Sequence, residues 1–267
     1  VCGLYEASDR PDAGPRQVVF GFADEFVRLL ESRGGLTAPQ RYGKTWTRVH
    51  DPLMWREAAD HLLREAGVRI LFHTVITGAR LDGQRVIGAS AWSKEGPVEL
   101  RARLSIDASG DADLVAMAGF EAFVGDDGKV QNPTMVFRLG GVDVARFLAA
   151  YGEDTIMPEA VSELLRRHHR DGYFLPRSKI WLFPTTRANE LLCNCTRVVG
   201  ADGRELNTLF VRDFTDAELE GRLQMREYAR FFSDRLAGCE NAYVVDTGVQ
   251  VGVRQTRQAR GVATLGN

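Results

Sequence analysis

The chain has 267 residues, 44% of them hydrophobic and 26% charged, with a formal net charge of -2. This is the composition of a globular protein with room for one large domain or two small ones, without the basic excess that would point to nucleic acid or an anionic membrane. No apolar run approaches the roughly 20 residues that span a bilayer, and four cysteines (Cys2, Cys193, Cys195, Cys239) are too few for a disulfide scaffold, so a reducing, cytoplasmic setting is expected.

Residues 1–20, rich in Gly, Pro and Asp, read as a loop. Asp24 to Arg33 is an amphipathic helix with Phe26, Leu29 and Leu30 on one face and Gly34-Gly35 as its stop. Asp51 is an N-cap and Pro52 fits the first turn of the next helix, whose stripe is Leu53, Ala59, Leu62, Leu63 and Ala66, ended by Gly67. Val68 to Ile76 is a β-rich run with His73 at the edge of a core. Asp82-Gly83 marks a turn, and strands follow at Arg85–Trp92 and Val98–Leu104.

The stretch Leu104-Ser-Ile-Asp-Ala-Ser-Gly-Asp-Ala-Asp-Leu-Val-Ala-Met-Ala-Gly119 predicts a short buried strand, a turn of small residues at Ala108, Ser109 and Gly110, and a short helix stopping at Gly119. Small residues let a ligand approach the backbone, and the new helix would point N–H groups at it. The same pattern also suits a packing turn that binds nothing.

Beyond Gly119 the composition shifts. Gly125 to Gly128 is a loop, Thr134–Leu139 a strand, and Val144–Ala150 and Pro158–Arg170 are helices. Ile180–Thr185 and Leu191–Val199 form a hairpin through Arg187 to Asn189. Thr215 with Glu218 is a capping box opening a helix to Gly238, and Tyr243–Val253 is a strand. The boundary falls near residue 125. Cys193 and Cys195 share a face of a strand and read as buried structural thiols. His168-His169, beside Arg166, Arg167 and Arg170, reads as a solvated face. No Gly-x-Gly-x-x-Gly, P-loop, zinc spacing or Gly-x-Ser-x-Gly occurs.

Gly67-Val-Arg-Ile-Leu-Phe-His-Thr-Val-Ile-Thr-Gly78, Gly83-Gln-Arg-Val-Ile-Gly88 and Ser105-Ile-Asp-Ala-Ser-Gly-Asp-Ala-Asp113 resemble the middle of FAD-dependent oxidoreductases of the glutathione-reductase-like class. Phe22-Ala-Asp-Glu-Phe-Val-Arg28, Cys195-Thr-Arg-Val198, Glu220-Gly-Arg222 and Gly252-Val-Arg-Gln-Thr-Arg-Gln-Ala-Arg-Gly261 narrow this to the bacterial FAD-dependent oxidoreductase family. The resemblance implies a mixed α/β fold. Residues 1–125 would be a partial FAD-binding domain, and 126–267 an inserted, mostly antiparallel substrate lobe.

It further implies FAD as cofactor, with the adenine held by the backbone near Ile76 and the flavin lying along Ala108, Ser109 and Gly110. Asp111 would repel a pyrophosphate and is expected as a helix N-cap. Arg254 and Arg257, clustered with Arg260, are the expected catalytic cations for a substrate carboxylate or a reduced flavin; the alternative is a surface ion-pair set. Both chain ends read as cut, with the family's glycine loop and closing segment missing, so FAD is expected to bind the chain weakly. The implied reaction is hydride transfer between a small organic substrate and FAD, with neither nucleic acid nor membrane as partner. A flavin monooxygenase, a tRNA-modifying flavoprotein and a non-catalytic binding module are the alternatives.

Overall fold

Asp51 caps a helix because its carboxylate accepts hydrogen bonds from the amides of Leu53 and Met54, with Pro52 in the first turn. Such local signals set most of the elements of the computed structural model, which describes residues 2–10, 12–168 and 171–263. The predicted roles of His169 and Arg170, and the two chain ends, lie outside the described residues.

In chain order the elements are α1 (Phe22–Ser32), the β1–β2 hairpin (Gln40–Tyr42, Thr45–Thr47), α2 (Pro52–Glu65), β3 (Val75–Asp82), β4 (Arg85–Ser93) and β5 (Gly96–Arg101). Then come α3 (Asp113–Met117), β6 (Ala122–Val124), β7 (Phe137–Gly140), α4 (Val144–Tyr151), α5 (Glu159–His168), β8 (Trp181–Pro184) and β9 (Leu191–Asn194). The last are α6 (Val211–Arg235), β10 (Tyr243–Thr247) and β11 (Arg257–Ala259). The fold is mixed α/β, and every ladder between these strands is antiparallel.

The chain divides into two compact units. One comprises Val1–Val68, Pro133–Val198 and Thr215–Gly252. Its four-stranded sheet runs β10-β7-β9-β8. Phe137, Leu139, Leu182, Leu191 and Cys193 are buried on one face, in a core shared with Tyr228, Phe231 and Phe232 of α6. The pleat sends Arg138, Trp181 and Leu192 to the opposite face. Cys193 and Cys195 are buried free thiols, as predicted, and burial pushes the Cys193 thiol up. The other unit comprises Arg69–Asn132, Val199–Phe214 and Val253–Asn267. It holds the β3-β4-β5 sheet, α3 and the β6–β11 ribbon.

Several expectations are corrected. Leu104–Ile106 is not a buried strand: Leu104 is 80% and Ile106 83% exposed, and no strand pairs with them among the described residues. Val68–Thr74 is likewise no strand; His73 is an exposed turn residue at φ 52 rather than a core-edge histidine. The helix α2 buries Ala58, with Met54 and Trp55 packed alongside, against Val27 and Leu30 of α1, while Leu53 and Leu63 stay exposed. Its packed face is therefore rotated from the predicted stripe.

The helix α6 starts four residues before Thr215, because Asp213 anchors its first turn, accepting two bonds from Arg204 at 2.8 and 2.7 Å and one from the Asn207 amide. The predicted strands at Thr134 and Val253 shrink to a single Thr134–Gly252 bridge beyond β7 and β10. His168 is not solvated: its ring packs on Tyr173 and Phe231, and Nδ1 lies 2.5 Å from Asp171 Oδ2.

Gly238, the predicted stop of α6, has φ 84, and a Cβ there would lie 2.5 Å from the Asp143 carbonyl oxygen and 2.9 Å from the Phe147 amide. Gly203 has a similar φ of 82 with nothing within 4 Å of its Cβ position. Gly203→Ala is therefore expected to cost about 1 kcal/mol from backbone strain alone, and Gly238→Ala about 3 kcal/mol or more from strain plus overpacking. Urea unfolding midpoints measure both, and equal losses would contradict the packing argument.

Candidate functional site

The turn at Ala108–Gly110 is organised by Asp107. Its Oδ1 accepts from the Ser109 amide at 3.1 Å and hydroxyl at 2.7 Å, and Oδ2 accepts from the Val115 amide at 3.1 Å. Ser109 Oγ accepts in turn from the amides of Asp111 at 3.3 Å and Asp113 at 3.1 Å. Burial alone would raise the Asp107 carboxyl, but the Ser109 and helix-amide hydrogen bonds outweigh it and hold the group below its ordinary value.

Asp107 thus does the capping predicted for Asp111. Ala112, in the left-handed region at φ 51, occupies the cap position. The Asp111 carboxylate instead accepts from the Thr256 hydroxyl. The N–H groups expected to await an anion are bonded within the turn. Ala108, Ser109 and Gly110 are exposed, and a Cβ on Gly110 (φ 85) would meet nothing within 4 Å. Ile76 lies in β3, an edge strand of its sheet, just before a bulge at Thr77.

The arginine cluster separates. Residues 253–256 form no helix and β11 begins at Arg257, so Arg254 and Arg257 do not share a helix face. Arg257 Nε donates to the Asp111 carbonyl at 3.0 Å and its guanidinium pairs with Asp113. Arg260 pairs with Glu121 at 2.7 Å and lies over the Phe123 ring. Arg254 is exposed and makes no ion pair among the described residues.

The sequence reading missed a cleft of about 450 Å³ on the open face of the four-stranded sheet. Val49, Trp55 and Leu192 give it apolar walls, and Arg138 crosses it. A bulge at Val245 brings Asp246, rather than Val245, opposite Arg138. Arg138 Nε and Nη2 donate to the two Asp246 oxygens at 2.8 and 2.6 Å, and Nη1 donates to Glu190 Oε1 at 3.1 Å. Hydrogen bonding to the Asp246 carboxylate leads in holding this guanidinium in its charged form.

Glu190, with 5% of its side chain exposed, also accepts from the Thr185 hydroxyl at 3.0 Å. Arg187 donates to Asp51 at 3.2 Å. Burial would raise the Asp51 carboxyl, but the Met54 and Leu53 amides and Arg187 hold it low. His50 is half-buried at the rim, its ring 4.4 Å from that of Trp55. The usable signal was a charge inside an apolar strand: Phe137-Arg138-Leu139 places Arg138 on the face away from the core.

The whole chain, residues 1–267, matches the FAD dependent oxidoreductase family, and the chain belongs to that family. No curated protein matches it. Among solved structures it is similar to a triple mutant of the flavin-dependent brominase Bmp2, at 15% identity and TM-score 0.46, covering 91% of this chain and 59% of that one. It is similar to the myxobacterial chondrochloren halogenase CndH at 16% identity and TM-score 0.45, covering 88% and 52%. A third is aklavinone-11 hydroxylase in complex with FAD and aklavinone, at 18% identity and TM-score 0.39, covering 90% and 38%. The chain thus spans between 38% and 59% of the length of these proteins.

FAD is the family's cofactor. The open backbone at Gly110 fits a flat, uncharged part of it. The carboxylates of Asp107, Asp111 and Asp113 and the already bonded amides do not fit its pyrophosphate. Gly110→Val is expected to lower the melting temperature without FAD, because φ 85 strains any L side chain. If the turn meets the cofactor, the stabilisation that added FAD gives the wild type should shrink as well. Melting curves with and without FAD separate the two, and an unchanged FAD increment would rule out contact at Gly110.

Proposed function

We propose that this protein serves an FAD-dependent oxidoreductase reaction in which a hydride passes between a small organic substrate and FAD, with the cleft around Arg138 as the substrate site. The observation that carries this reading is the cleft itself: apolar walls with a few fixed polar groups at its centre are what a small-molecule site requires. When bound, FAD supplies the two-electron chemistry, and the chain's residues bind and orient.

In this reading Ile76, Ala108, Ser109 and Gly110 touch the cofactor through their backbone. The division of roles at residue 125, cofactor side before it and substrate lobe after it, is part of the proposal, although the compact units interleave across that boundary. Arg138, fixed by Asp246 and Glu190, orients the substrate's polar end. Arg254 and Arg257 are proposed to meet an anionic group of substrate or flavin. Arg254 is ready for this as it stands, whereas Arg257 would first have to release Asp113.

The test is anaerobic. FAD-loaded protein is mixed with a panel of small alcohols, amines and hydroxy acids, and bleaching of the oxidised flavin absorbance is followed. Protein that never takes up FAD, or flavin that no candidate reduces, would count against the reading.

Arg254→Lys keeps the charge and loses the planar fork. It is expected to lower kcat/KM for a reducing substrate by about one to two decades, the value of one charge-assisted hydrogen bond. Wild-type kcat/KM in both Arg254→Lys and Arg257→Lys would return the two residues to the surface.

A further inference from the structure

Among the described residues, His50 is the one histidine that lines the cleft. The charged groups around it are Asp51 beside it, Arg56 on α2, Arg138 on β7, Arg187 and Glu190 between β8 and β9, and Asp246 on β10. The carboxylates are committed. Asp51 caps α2 and pairs with Arg187, Glu190 holds Arg138 and the Thr185 hydroxyl, and Asp246 fills the Arg138 fork. Among the described residues no hydrogen bond or ion pair involves the imidazole of His50, which is held only by ring contact with Trp55 at 4.4 Å. A neutral imidazole presents one acceptor nitrogen, so this ring is the cleft's uncommitted proton acceptor.

We infer that His50 takes the hydroxyl proton of an alcohol-bearing substrate with an apolar body bound in this cleft, an inference that rests on the cleft being the substrate site. The step balances as an alcohol oxidation. The O–H bond breaks and its proton goes to the imidazole nitrogen. The electron pair left on oxygen becomes the C=O π bond, and the carbinol hydrogen leaves with its own pair as hydride. The oxidant is a two-electron flavin. Burial pushes the His50 imidazole below the ordinary histidine value, against the opposing pull of the Asp51 carboxylate, which keeps the acceptor form at neutral pH.

The probe is benzyl alcohol, with toluene as the matched control. Both are titrated into the full chain while the His50 imidazole nitrogens and the Trp55 indole are followed by NMR. Benzyl alcohol is expected to shift both residues, and toluene to shift Trp55 without the hydrogen-bond shift at His50. The sign with pH follows from the acceptor role: alcohol binding is intact above the ordinary histidine value and falls away as pH drops through the lowered one, while toluene binding stays level.

His50→Phe keeps a ring against Trp55 and should weaken the alcohol about two- to tenfold, the range of one neutral hydrogen bond, leaving toluene unchanged. Should that variant not fold, the wild-type nitrogen shifts and pH series decide alone. If both probes shift Trp55 while His50 is silent and alcohol binding ignores pH, the acceptor role is overturned and the cleft stands. If neither probe shifts Trp55, the cleft reading falls and the inference with it.

Discussion

Arg138 carries a fixed positive charge to a place where only 14% of its side chain meets solvent. A guanidinium so placed is tolerated only if its donors are matched. Asp246 from β10 and Glu190 from the end of the β8–β9 connection do this, so one side chain ties three stretches of chain together across the open face of the sheet. Removing any member leaves a poorly solvated charge behind, and the Thr185 hydroxyl and the Arg187–Asp51 pair extend the dependence to the N-terminus of α2. The apolar core beneath the sheet holds the strands together, but this network fixes the shape of the cleft.

Much of the fold was legible because its signals are local. Asp51-Pro52 starts α2 as read, the strands around Arg187–Asn189 form the expected hairpin, and Gly67, Gly119 and Gly238 take the positive φ of helix ends. What was not legible depends on distant partners. Leu104 to Ile106 has the apolar content of a buried strand, yet a strand exists only where a neighbour completes its hydrogen bonds, and none does so among the described residues. The capping box at Thr215 has the right spacing, but Asp213 with Arg204 starts the helix sooner. The Arg138–Asp246 pair spans 108 positions and depends on a bulge that no residue pattern at Val245 announces.

The small-residue turn shows the same division. Its position and openness follow from Ala108-Ser-Gly110, as anticipated. Its wiring does not. Asp107 takes the helix amides that an anion would need, and the nearby cation Arg257 is neutralised by Asp113. The result is a hydrogen-bonded loop with an exposed backbone and an acidic surround.

The bulge in β10 also sets which side chain the Arg138 guanidinium meets. Closing the bulge without shortening the chain would put Val245 opposite Arg138 and carry Asp246 one place further on, whereas deleting Val245 would leave Asp246 and Thr247 opposite the partners they have now. The ladder of β7 with β9, and the aromatic core behind it, would keep their own register. The backbone conformation at this one edge-strand position therefore decides whether a carboxylate or an isopropyl group meets Arg138, while the scaffold behind it stays the same.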